Sequence, residues 1–142
     1  MQYMFKKILL ATDGSQHSLR AAKKAIEVAC CDKESTLSIV YVVDEDQAKS
    51  DTLRNWNASS TADARKAKIR PIEEMASESE VKFEVQVLRG EPGPSIVKHA
   101  NEQNFDLVVL GSRGLNLLQE FVLGSVSHKV AKRANCPVMI VK

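Results

Sequence analysis

The fold turns on the reading of Asp106-Leu107-Val108-Val109-Leu110-Gly111-Ser112-Arg113-Gly114 and, nine residues later, Gly124-Ser125-Val126-Ser127. Leu107 to Leu110 is a short apolar run closed by Asp106 and Gly111, the pattern of a strand buried on both faces of a parallel sheet. The chain then turns through Gly111 to Gly114. A second glycine turn at Gly124 opens a helical pattern running towards Ala134. Two glycine turns therefore stand at the mouth of one buried strand.

The chemistry that suits this arrangement is anion binding. A residue without Cβ lets backbone N–H groups approach a phosphate, and a helix start adds unpaired donors and partial positive charge. Ser125 and Ser127 add hydroxyls, and either is placed to cap the helix. Taken singly, each glycine is a turn residue. Together, after one strand and with Ser125-x-Ser127 beside them, they point to phosphate.

Working outwards, Phe5 to Thr12 reads as a first strand with Ile8 to Ala11 at its centre. It ends in the turn Thr12-Asp13-Gly14-Ser15, which also supplies helix caps. Leu19, Ala22, Ile26 and Ala29 recur at helical spacing over 18–31. Thr36 to Val43 is a second strand rich in β-branched residues. A polar stretch from Glu45 to about Ser60, containing Trp56, reads as a long loop or frayed helix. Ala62 to Ser79 has helical composition with Ala67, Ile72, Met75 and Ala76 as apolar positions, and Pro71 is expected to kink it or split it at Arg70. Val81 to Leu88 alternates apolar and polar, which predicts a sheet edge. A short helix over 95–104, the helix over Val126, Val130 and Ala131, and a last strand from Pro137 complete the chain. Strands alternating with helices predict a single α/β domain, a parallel sheet with right-handed crossovers spanning 1–142.

The bulk properties exclude several classes. At 142 residues, 44% hydrophobic and 27% charged, the chain has the length and composition of one globular domain. No apolar run approaches the roughly 20 residues of a membrane span, and no signal peptide precedes the first strand, so a cytoplasmic protein is expected. A net charge of +2 and 5% aromatics give no footprint for nucleic acid. Cys30, Cys31 and Cys136 form neither a disulfide framework nor a CxxC pair. Cys30 and Cys31 are expected to pack as small apolar groups at a helix end.

Gly111-x-x-Gly114, nine residues, then Gly124-Ser125 resembles the nucleotide motif of the ATP-binding branch of the universal stress protein family. Lys6 to Ser15 and Asn135 to Val141 resemble its beginning and end, so the likeness covers nearly the whole chain. That resemblance implies a doubly wound five-stranded parallel sheet of order 3-2-1-4-5 with helices on both faces. Winding would reverse between the first and fourth strands, leaving a crevice at their carboxyl ends. The loop after the first strand and the glycine loops after the fourth would meet there.

The resemblance also implies a distribution of roles. Ala11 and Thr12 would wall the base and sugar, and the backbone of Val42 would touch adenine. Asp13, by turn chemistry alone a cap residue, would accept from the ribose or hold Mg2+. Gly111, Ser112, Gly114, Gly124, Ser125, Val126 and Ser127 would supply phosphate donors, and Arg113 would pair with phosphate oxygens. The ligand would be ATP, or ADP or AMP. Leu115 to Leu123 is too apolar for a solvated loop and would pack on the ligand or a partner subunit. His128 has no evident partner and is left out of the site. Val138 to Val141, apolar and at an implied sheet edge, suggests a homodimer through that strand.

No Walker lysine, GKS or GKT is present, which argues against fast phosphoryl transfer. The expected role is a nucleotide-dependent stress-response regulator with at most slow hydrolysis. The alternatives are a nucleotide-dependent hydrolase or transferase on the same scaffold, and a receiver-like switch phosphorylated on Asp13.

Overall fold

The computed structural model describes residues 5–14, 16–43, 58–112 and 124–142. Strands β1 (Lys7–Thr12), β2 (Thr36–Val43), β3 (Lys82–Arg89), β4 (Leu107–Gly111) and β5 (Val138–Val141) alternate with helices. These are α1 (Gln16–Ala29), α2 (Ala58–Glu78), α3 (Pro92–Glu102) and α4 (Ser125–Arg133). All pairings are parallel, in the order β3-β2-β1-β4-β5. The doubly wound five-stranded sheet that the family resemblance implies is the sheet observed.

Side chains alternate across a strand, and the core divides accordingly. Ile8, Leu10, Leu37, Ile39, Leu107 and Val109 face one side with Ala22, Ala25 and Ile26 of α1 and Ile69, Ile72 and Ala76 of α2. Leu9, Ala11, Val40, Val108 and Leu110 face the other with Ile96 and Ala100 of α3 and Val130 of α4. Ile8, Leu9 and Leu10 are fully buried, because β1 is central and covered on both faces. β3, at the edge, has no buried residue along its length, and Val85 and Val87 remain exposed. Its alternating sequence predicts that placement.

Four local expectations are corrected. Pro71 does not split α2, which runs unbroken from Ala58 to Glu78. Pro71 and Ala67 are both exposed, so the carbonyl deprived of its donor faces water. The buried stripe of Ile69, Ile72 and Ala76 holds the helix on both sides of the proline. Cys30 and Cys31 are exposed, since α1 ends at Ala29 and the pair belongs to the turn beyond it. Ala131 of α4 is exposed as well, leaving Val130 as the buried contact. α3 begins at Pro92, three residues earlier than expected, with proline in the first turn where its missing N–H costs nothing. Trp56 and the segment 115–123 lie outside the described residues.

Among the described residues no helix is long and apolar enough to cross a membrane.

Candidate nucleotide site

The site assembles from the carboxyl ends of β1 and β4. Leu10 pairs with Val109, and continuing that register by two residues puts Thr12 level with Gly111. β1 leads through α1 to β2 on one face, while β4 leads through α4 to β5 on the other. The crossovers diverge at this point and leave a crevice between the two strand ends.

On the β1 side Thr12 is buried, and its Oγ1 donates to Ser18 Oγ at 2.8 Å. The same oxygen accepts from Gly14 N–H at 3.0 Å, a hydroxyl-closed turn of the kind Ser and Thr favour. Asp13 stands exposed at its apex. Gly14 has φ +78°, and a Cβ there would lie 2.6 Å from Lys68 Cβ of α2. Both the backbone conformation and the space require glycine. Ala11 is buried and Val42 half-buried, both in the α3–α4 half of the core.

On the β4 side five residues lock together. Ser112 N–H donates to Val141 O at 2.9 Å, prolonging the β4–β5 pairing. Gly124 N–H donates to Ser112 O at 3.0 Å, so the two ends of the intervening loop meet. Ser127 Oγ donates to Gly111 O at 2.6 Å. That hydroxyl proton is committed to the chain, so Ser127 offers position and its backbone N–H rather than a hydroxyl donor. The serines also do not cap the helix. The N-cap is Gly124, extended at φ −60° and ψ 156°, with no side-chain cap hydrogen bond.

His128 N–H closes the first helical turn on Gly124 O at 2.9 Å. The N–H groups of Ser125, Val126 and Ser127 precede it, and none has an acceptor among the described residues. Uncapped amides at a helix start carry partial positive charge and open donors. Lys132 and Arg133 in the last turn complement the opposite end. Among the described residues an added Cβ at Gly124 would meet only Ser112 O, at 3.4 Å. Glycine here thus keeps the amides approachable rather than relieving backbone strain.

Ala11, Thr12, Asp13, Gly111, Ser112, Gly124, Ser125, Val126 and Ser127 are therefore brought to one end of the sheet, with Val42 on the neighbouring strand. Arg113 and Gly114 lie outside the described residues. His128 is exposed. Sequence reasoning missed Lys68, whose contact with Gly14 spans 54 positions and leaves no local signal; the Asp13-Gly14 turn dipeptide marks only one half of it. Two open grooves, of about 690 and 510 Å³, flank the outer side of α2. Their linings mix both charges and stand away from the strand ends, so they are not the site. Among the described residues no group of three or more His, Cys, Asp or Glu converges to hold a metal.

A doubly wound parallel sheet whose winding reverses between β1 and β4, with the start of α4 beside that point, defines a doubly wound α/β protein. Residues 4–142 match the Universal stress protein family, and the chain belongs to it. It is 36% identical to the Universal stress protein YxiE of Bacillus subtilis, over 98% of this chain and all of the relative. Its structure superposes on that of MJ0577 of Methanocaldococcus jannaschii with a TM-score of 0.84 and 30% identity, covering 99% and 97% of the two chains. A universal stress protein solved in complex with cAMP gives a TM-score of 0.73 at 27% identity, covering 99% and 98%.

Proposed function

We propose that the chain is a cytoplasmic, ATP-binding universal stress protein whose site is the crevice between β1 and β4, and that occupancy by the nucleotide regulates a stress response. The observation that carries this reading is the set of amides at Ser125, Val126 and Ser127, uncapped by any side chain and held against Gly111 and Ser112. A phosphate group supplies the acceptors these donors lack. The cAMP complex of a relative supports an adenine nucleotide as the ligand class.

Within this reading Ala11, Thr12 and Val42 wall the base and sugar. Asp13 takes the ribose hydroxyls or a Mg2+ ion. One carboxylate with no acidic cluster beside it among the described residues fits Mg2+ as an ion carried in with the phosphates, since Mg2+ keeps several waters and shares its remaining ligands with the substrate. There it would neutralise phosphate charge. With no Walker lysine and no GKS or GKT in the sequence, hydrolysis would be slow at most. The domain 1–142 then serves as a sensor rather than a dedicated catalyst.

The test is direct. Protein purified and then denatured should release an adenine nucleotide, and calorimetry should show ATP binding in the presence of Mg2+. Gly124→Val should weaken that binding at least tenfold while leaving the fold intact, because among the described residues its Cβ meets nothing closer than 3.4 Å. Nucleotide binding equal to that of the parent would remove the phosphate assignment.

A further inference from the structure

Two buried polar atoms, Ser38 Oγ of β2 and His99 Nε2 of α3, have no hydrogen-bond partner among the described residues. Ser38 is 1% exposed. It is the register partner of Leu9 on one side and of Glu84 on the other. It also precedes Val40 by two residues, so its side chain points into the half of the core that holds Leu9, Val40, Ile96 and Ala100. On that face α3 is packed over β2.

His99 stands over the same place. Its ring lies 5.4 Å from that of Phe105, and the Lys7 ammonium lies 5.0 Å from the Phe105 ring. The charges acting on the imidazole include Glu84 on β3, Lys7 on β1 and Glu102 on its own helix. Glu84 is level with Ser38, and Lys7 is level with Thr36, two residues before it. A ring within reach of both flanking strands lies over the strand between them, so α3 sets His99 above Ser38. No hydrogen bond joins the two side chains.

Buried polar groups in folded proteins are almost always satisfied, and two orphans on facing elements call for something that both donates and accepts. A serine hydroxyl does either, and Nε2 of a neutral imidazole is a donor in one tautomer and an acceptor in the other. Serine is also short. Beside Leu9 and Val40 it leaves volume that a longer side chain would fill in a close-packed layer. A metal ion does not suit the place, because among the described residues no three His, Cys, Asp or Glu converge.

We propose that one internal water molecule binds between Ser38 Oγ and His99 Nε2, a polar bridge from β2 to α3 through an otherwise apolar layer. The site lies towards the amino end of β2, which begins at Thr36, and so stands apart from the crevice at the carboxyl ends. Ser38 is thereby a positioning residue for the His99 ring.

Crystal structures of the full chain at pH 8 test this. The parent should show one ordered water within hydrogen-bond distance of both atoms, and Ser38→Val, which fills the space with methyl groups, should lose it. In solution the Nε2 resonance of His99 should shift in Ser38→Ala, a variant that adds no bulk, and return towards the parent position in Ser38→Thr, which restores the hydroxyl. A direct Ser38–His99 hydrogen bond in the parent, or no water there, would overturn the proposal. So would a His99 resonance indifferent to Ser38→Ala.

Discussion

His99 is a residue whose burial ties its protonation to the fold. Its ring packs on Phe105 with centroids 5.4 Å apart, and its buried Nε2 has no hydrogen-bond partner among the described residues. Burial lowers its pKa from the ordinary 6.5; the Glu84 carboxylate opposes that, the Lys7 ammonium adds to it, and Glu102 again opposes. With the folded value below the unfolded one, the unfolded chain takes up its proton first as the pH falls. The stability His99 allows is complete above 6.5 and is lost as the pH drops from 6.5 towards the lowered folded value. Denaturant midpoints of parent and His99→Phe should therefore move apart in that direction between pH 7 and pH 5, the parent losing more. Parallel midpoints across the range would show that His99 is not responsible. Gly14 makes the complementary point at the same scale. Its place in a turn was legible from Asp13-Gly14, but its need to clear Lys68 was not.

Among the elements, α2 departs most from its sequence. Pro71 argues for a break, and the helix passes through it because the inward residues on both sides are buried in one core. Tertiary packing outweighs a local penalty of roughly 3 kcal/mol. Pro71→Ala should accordingly raise stability, by at most about that penalty, measurable as a higher denaturant midpoint with an unchanged slope. A fall in stability would mean that the proline is accommodated at no cost. α4 is the opposite case. Its position after Gly124 was legible, while the absence of a serine cap and the turning of Ser127 towards Gly111 were decided by how β4 and α4 meet.

For the whole molecule, the two sheet edges differ. β3 carries exposed Lys82, Glu84 and Arg89, charges of the kind that deter strand addition. β5 is Val-Met-Ile-Val, each residue half-buried in the single chain. We therefore expect a two-fold homodimer through β5. Light scattering should give twice the chain mass of 15.7 kDa, and Ile140→Lys should return it to the monomer. A parent that stays monomeric across micromolar concentrations would exclude this interface.

The sequence by itself determined the alternation of strands and helices, the burial of β1 and β4 and the wet edge at β3, because periodicity and glycine placement are local properties of the chain. It also marked, through family resemblance, which strand ends should meet. Only the tertiary structure decided that α2 continues through Pro71, that Ser127 spends its hydroxyl on Gly111, and that Arg65 lies over the Tyr41 ring and Lys68 against Gly14. Those outcomes depend on which surfaces press together across dozens of residues, and packing between distant segments writes no pattern into either one alone.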